Sequence, residues 1–230
     1  MKPVILLVTT VIFFHLPTWA QSETITVSSG TDIASALSPK QLYRYSQFTS
    51  GKVYFKDGTT ASGWLNLNLL LDEMQFINPA GDTLTVDNEQ TIRYLTIATD
   101  SFYYQKGFLE QVAGPATTRL LKKQSLKELD KRKIGGYGMS TSTSAIANYD
   151  SYMADNTVYK LAIRGDILLA KKVDYYFGNS NQEFLPASKK NLMRLFPKHQ
   201  VAISRYLQQN EVDYKNEADL LRLISFLQSL

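Results

Sequence analysis

The stretch from Lys133 to Tyr152, KIGGYGMSTSTSAIANYDSY, concentrates the residue types from which phosphate cradles and nucleophile loops are made. Gly135, Gly136 and Gly138 come first, and every residue from Ser140 to Ser144 carries a hydroxyl. A phosphate loop needs a lysine just before its hydroxyl, because backbone amides cradle the phosphates while the lysine reaches them. Met139 stands there instead. The dinucleotide fingerprint lacks its glycine spacing and its parallel-sheet setting, and Gly-x-Ser-x-Gly is absent. A run of small hydroxyl residues without apolar periodicity buries too little surface to offset ordering entropy. The stretch therefore reads as a flexible Gly/Ser/Thr loop near residues 134–156. Lys131, Arg132 and Lys133 precede it, and Tyr137, Tyr149 and Tyr152 lie in it. These six residues form a candidate contact loop for an acidic or carbohydrate partner.

Other chemistry is sparse. The chain has no cysteine and two histidines, and His15 lies in the N-terminal apolar segment. Only His199 is left as a base for a Ser–His–Asp triad, and a His-rich or thiolate metal site is excluded. His199 follows Lys198 and reads as a surface residue. Asp72 and Glu73 are adjacent, so on a strand they point to opposite faces and cannot share an acid–base task. Asp82, Asp87 and Glu89 read as solvated turn carboxylates, with no loop of EF-hand spacing. Arg164-Gly165-Asp166 sits at an expected strand–strand turn and reads as a chance tripeptide. No cofactor motif is found. The doublets in SFYYQ (101–105) and DYYF (174–177) place aromatics on both faces of a strand, as sugar- and peptide-binding sheets do and as core filling also does.

The elements that would position these residues begin with a targeting segment. Lys2, the apolar run Val4–Phe14 and the small Ala20 match a signal peptide over residues 1–20. The run is too short to span a bilayer, which takes roughly 20 apolar residues. Without cysteine the bacterial lipid-anchoring route is closed. The expectation is export to the periplasm or outside the cell, with no transmembrane anchor in the mature chain. A cysteine-free exported chain fits a bacterial envelope better than disulfide-rich secretion.

Residues 21–48 are small and hydroxyl-rich and read as a weakly ordered leader or an added edge strand. Residues 49–180 read as an antiparallel β domain. KVYFK, then Asp57-Gly58, then TTASGWLNLNL is a hairpin pattern, with Asp-Gly suited to a tight primed turn. Leu65, Leu67 and Leu69 alternate with Asn66 and Asn68, predicting one apolar and one polar face. EMQFI, TLTV, TIRYLTIA, SFYYQ and GFLEQVA continue the series. TTRLLKK reads as strand to about Lys123. Ser125 and Glu128, with Gly135 as a stop, then suggest a capping box and a short helix or irregular turn. TVYKLAI and ILLAKKVDYYF read as a second hairpin. Residues 186–230 read as helical. Ser188 caps a helix carrying Leu192, Leu195 and Phe196, and Pro197 separates it from a second. Asn216 caps a third with the stripe Leu220, Leu223, Ile224, Leu227 and Leu230. The fold expected is α+β: an antiparallel curled sheet or small barrel, followed by a C-terminal bundle of two or three helices.

Charge is uneven. Residues 21–118 carry six basic against ten acidic residues, and residues 119–230 carry 18 against 11. That asymmetry suggests a dipolar surface or internal complementarity between the halves.

GKVYFKDGTT, LLLDEMQFINPAGDTL, KIGGYGMSTSTSAI and ASKKNLMRLFPKH together resemble a group of exported bacterial proteins of unknown function. The resemblance covers about residues 50–230. It implies an envelope or secreted location and a β-rich body with a helical C-terminus, and it brings no activity, ligand or catalytic residue.

The functional expectation is a non-enzymatic exported protein that binds another macromolecule, either an envelope protein or a polysaccharide, without specific nucleic-acid recognition. A glycan- or lipid-binding module is the second reading, favoured by an aromatic-lined face. A hydrolase working through carboxylates alone is the third.

Overall fold

The computed structural model describes residues 24–28, 31–134, 140–143 and 166–230. The expected signal peptide, the strand expected over residues 157–163, and Tyr137, Tyr149 and Tyr152 lie outside these residues.

Among the described residues, twelve strands form one antiparallel sheet. They are β1 (Thr24–Val27), β2 (Thr49–Phe55), β3 (Thr60–Asn68), β4 (Glu73–Ile77), β5 (Thr83–Thr85), β6 (Ile92–Ile97), β7 (Asp100–Tyr104), β8 (Phe108–Ala113), β9 (Thr118–Ile134), β10 (Ser140–Thr143), β11 (Asp166–Asn179) and β12 (Phe184–Pro186). The order is β1-β11-β9-β8-β7-β6-β2-β3-β4-β5, with β10 beside β9 and β12 beside β11. Helices are few among the described residues: α1 (Ile33–Ala36), α2 (Pro39–Leu42), α3 (Lys189–Leu195), α4 (Gln200–Gln209) and α5 (Glu217–Gln228).

The α+β expectation is therefore corrected. The fold is largely β, and the sheet of the described residues is open, with β1 and β5 as its two ends, so no barrel closes among them. The C-terminal helices are present in part, but not as a bundle with its own core. Leu192, Leu195, Ile203, Leu220, Leu223, Ile224 and Leu227 share one buried cluster with Leu120 of β9 and Phe177 of β11. Ser188 and Asn216 cap α3 and α5 through their side-chain oxygens, and Leu230 at the end of the stripe is exposed.

The segment expected to turn helical after Lys123 stays in β9. Ser125 pairs with Lys172 and Glu128 with Leu169, because β11 runs alongside β9 for 14 residues. Leu126 is buried in the main core. A local capping signature yields here to long-range pairing, since tertiary packing overrides weak local propensity. Ser140–Thr143 of the Gly/Ser/Thr stretch likewise form β10, opposite Lys131–Ile134. Thr24–Val27 take the edge-strand option, and Val27 is buried against the core.

The β2–β3 turn also differs from the primed form. Gly58 N–H donates to Phe55 O and Phe55 N–H to Thr59 O. Of Asp57 and Gly58 only Gly58 has positive φ, at 91°. This is a type I turn followed by a left-handed glycine, the three-residue hairpin solution.

The polar face expected of β3 is not solvated. Asn66 and Asn68 are buried. Asn66 exchanges hydrogen bonds with the Tyr45 backbone, and Asn68 Oδ1 accepts from Leu70 and Leu71 N–H. Curvature then brings the β3–β4 connection onto β9 where β9 outruns β8: Leu126 N–H donates to Leu69 O at 2.7 Å, and Lys123 pairs with Asp72.

A charged network ties the N-terminal segment and α5 to the same sheet. Arg44 donates to both oxygens of Glu110, at 2.7 and 3.0 Å. Gln124 Nε2 donates to Glu110 at 3.0 Å, and Lys122 Nζ lies 3.4 Å from it. Tyr175 donates to Glu217 of α5. Burial works against ionisation of Glu110, but Arg44 and Lys122 outweigh it and hold the carboxyl below its usual range. Burial, then the bond to Glu217, pushes the Tyr175 phenol up to about 12.

Candidate functional site

Register places an aromatic row on the face of the sheet opposite the main core. Tyr54 of β2 stands across from Tyr94 of β6, and Leu95 across from Phe102 puts Tyr94 beside Tyr103 of β7. Ring centroids are 4.4 Å apart for the stacked Tyr54–Tyr94 pair and 6.1 Å for Tyr94–Tyr103. Phe184 of β12 completes the row, 5.3 Å from Tyr103. Its ring can lie there because its partner on β11 is Gly178, where a Cβ would stand 2.7 Å from the ring. Gln105 Nε2 donates to Phe184 O and fixes that strand over β7.

Cations sit against this row. Lys52 Nζ is 5.1 Å from the Tyr54 ring centroid, and Arg93 Cζ is 6.0 Å from that of Tyr94. The β2–β6 register skips between Tyr54 and Phe55, leaving Arg93 as the extra residue of a bulge, a device that re-aims a side chain. Arg119 lies 5.0 Å over Tyr103 and is only 6% exposed. Its Nη1 donates to Asn179 O, and its Nε is buried without a hydrogen-bond partner. Such placements over ring faces are favourable, more so when desolvated.

Two open depressions meet beside the row. One, of about 460 Å³, has Tyr103, Tyr104 and Phe184 among its lining residues, with Lys56, Arg93, Gln105 and Arg194 around them. The other, of about 490 Å³, is lined by Phe55, Lys56, Asp57, Thr59, Gln90 and Thr91. Lys56 belongs to both, and its Nζ donates to Gln90 O at 2.7 Å. The acids of this groove are already engaged: Glu183 with Arg194 at 2.6 Å, and Asp57 with the Thr59 N–H and hydroxyl. Trp64 alternates with Ser62 and Thr60 on the aromatic side of β3 and is 58% exposed.

Those residues singled out from sequence that the structure describes fall elsewhere. The backbones of Lys131, Arg132 and Lys133 lie in β9, across from Thr143, Ser142 and Thr141 of β10. They are strand residues rather than part of a free loop. His199 ends a single 3₁₀ turn before α4 and is half-buried. Asp72 and Glu73 do separate: Asp72 pairs with Lys123, and Glu73 accepts from Thr85. Sequence reading noted the aromatic doublets but not the row, because Tyr54, Tyr94, Tyr103 and Phe184 come from four strands. Only pairing register joins them.

The fold and this groove define an open antiparallel β-sheet protein with an aromatic, net-cationic outer face. No protein-family model, curated protein or solved structure matches the chain. No helix among the described residues is long and apolar enough to cross a membrane, and none of them group as three or more potential metal-binding His, Cys, Asp or Glu side chains.

Proposed function

We propose that the protein is a non-enzymatic binding module, exported to the periplasm or the cell exterior, whose ligand is a polysaccharide held on the outer sheet face. The observation that carries this reading is the Tyr54–Tyr94–Tyr103–Phe184 row beside the groove, in which the Tyr54–Tyr94 stack is half-buried and Tyr103 and Phe184 are buried with only their edges lining the depression. Aromatic side chains combine a large apolar surface with few rotamers and a polar tip, which suits the apolar faces and hydroxyl edges of sugar rings. The exposed Trp64 on the same face extends the surface beyond one sugar. A hydrolytic reading draws no support from the groove, whose acids Glu183 and Asp57 are each held by their own partners.

Export rests on the signal-peptide pattern of residues 1–20 and on the resemblance to exported bacterial proteins. The test is affinity electrophoresis of the folded protein in gels containing polysaccharide purified from the producing cells. Retardation should be lost in Tyr94→Ala by at least about tenfold in affinity, or about 1.4 kcal/mol. If the parent protein migrates unretarded while cross-linking in the native envelope captures one protein reproducibly, the ligand is a protein and the reading is wrong.

A further inference from the structure

We infer that the groove selects an acidic polysaccharide, one carrying carboxylate or sulfate groups along the chain. This deepens the reading just given and rests on it. The argument starts from charge left over. Lys56, Arg93 and Arg194 stand around the two depressions, against Glu183 and Asp57. Arg194 and Glu183 neutralise each other, and Asp57 keeps its charge but turns into its own β-turn, so Lys56 and Arg93 give the groove a net single positive charge. Beneath its floor, Arg119 holds a guanidinium against Tyr103, with a carbonyl partner and an unpartnered Nε. Among the described residues no carboxylate forms an ion pair with Arg119, Arg93 or Lys56. A buried positive charge without a carboxylate raises the potential above it, where the low-dielectric floor screens it poorly.

Spacing adds to charge. Lys56 is common to both depressions, so an oxyanion held at Lys56 lies between two spaces that each have aromatic and polar side chains in their lining. Arg93, thrown outward by its bulge, offers a planar fork that takes carboxylate or sulfate through two parallel hydrogen bonds. A chain of anionic sugars presents both features: sugar rings for the edges of Tyr103 and Phe184 that line the depression, and oxyanions for Lys56 and Arg93. A nucleic acid would also bring rings and anions, so an oligonucleotide is one arm of the test.

The experiment uses the full mature chain and four probes: dextran, dextran sulfate, polygalacturonate and an oligodeoxythymidylate, each titrated at 50 mM and 500 mM sodium chloride. Dextran sulfate or polygalacturonate should bind at least tenfold more tightly than dextran at low salt, and the difference should shrink at high salt. Which of the two binds better assigns sulfate or carboxylate. Lys56→Ala/Arg93→Ala should remove most of the preference, whereas Lys189→Ala/Lys190→Ala, the same charge change away from the groove, should leave it. Equal, salt-insensitive binding of dextran and dextran sulfate would overturn the acidic preference while leaving polysaccharide binding in place. Tighter binding of the oligonucleotide, or an equal loss in the Lys189/Lys190 variant, would overturn the assignment to this groove. Binding of none of the four at either salt would overturn both readings.

Discussion

Glu110 offers the sharpest test of how this sheet is held. It is 6% exposed and receives four polar contacts: two from Arg44, one from Gln124 and the charge of Lys122. Glu110→Ala leaves two cations facing a cavity in place of a carboxylate. Breaking a buried pair by removing one partner costs about 3–5 kcal/mol, more than the pair itself contributes, because the remaining charge stays desolvated. For a chain of this size each kcal/mol moves Tm by about 2–4 °C, so a fall of about 6–20 °C is expected by calorimetry. Glu110→Gln keeps the volume and part of the hydrogen bonding, and should cost about 1.5–3 kcal/mol. The pH dependence has a fixed sign. The native carboxyl is held below its ordinary value, so its contribution is complete above the carboxylate range of the unfolded chain and drains away as pH falls through the lower native value. The stability gap between parent protein and Glu110→Gln should therefore narrow below about pH 4.3. A double-mutant cycle with Arg44→Ala should show coupling of at least about 1 kcal/mol. A Glu110→Ala protein melting within about 2 °C of the parent, or a cycle without coupling, would refute the reasoning.

Further predictions use the same measurements. Leu223→Asp places a charge in the cluster joining α5 to Leu120 and Phe177, and should prevent stable folding; an unchanged Tm would show that α5 is not docked there. Gly178→Ala puts a Cβ 2.7 Å from the Phe184 ring, and should cost about 1–3 kcal/mol and perturb the Tyr103–Phe184 contact, read as a change in near-ultraviolet circular dichroism. Asp72→Asn should behave oppositely to Glu110→Gln. Burial pushes the Asp72 carboxyl up despite Lys123, so the native state favours its proton and its charge costs stability at neutral pH. With φ at 59°, which Asn tolerates well, the variant should be unchanged or up to about 1 kcal/mol more stable at pH 7, and a larger loss would show that the Lys123 pair outweighs burial.

What the sequence disclosed was whatever is coded locally. Alternation and turn residues marked β2 to β8, and Ser188, Asn216 and the leucine stripe marked α3 and α5, because strands, caps and amphipathic faces depend on neighbours in the chain. What it concealed depends on partners far along the chain. Ser125 and Glu128 spell a helix start, yet they lie in β9 because β11, some 45 residues later, pairs with them. Asn66 and Asn68 spell a wet face, yet they are buried because the segment around Tyr45 lies over them. The candidate site is an extreme case: its four rings come from β2, β6, β7 and β12. Even the glycine that admits Phe184 is unremarkable in sequence, since only β11–β12 register shows what its missing side chain makes room for.

The charge asymmetry between the two halves of the chain resolves in the same way. Read along the sequence, a basic rear half behind an acidic front half suggests a dipolar surface or internal complementarity. The complementarity is in part internal, because β9 carries rear-half lysines into the front-half sheet. Lys122 meets Glu110, and Lys123 meets Asp72. The cations left facing the outer groove, Lys56 and Arg93, come from the acidic half, where composition gave no hint of a basic surface. Charge counts alone therefore do not locate a basic surface, because a strand's neighbours in the sheet, not its neighbours in sequence, decide which charges are neutralised. If that reasoning holds, Lys122→Met should act on stability and leave polysaccharide binding intact, whereas Arg93→Ala should weaken binding and leave Tm within about 2 °C. A reversal of those two effects would return the functional surface to the basic rear half.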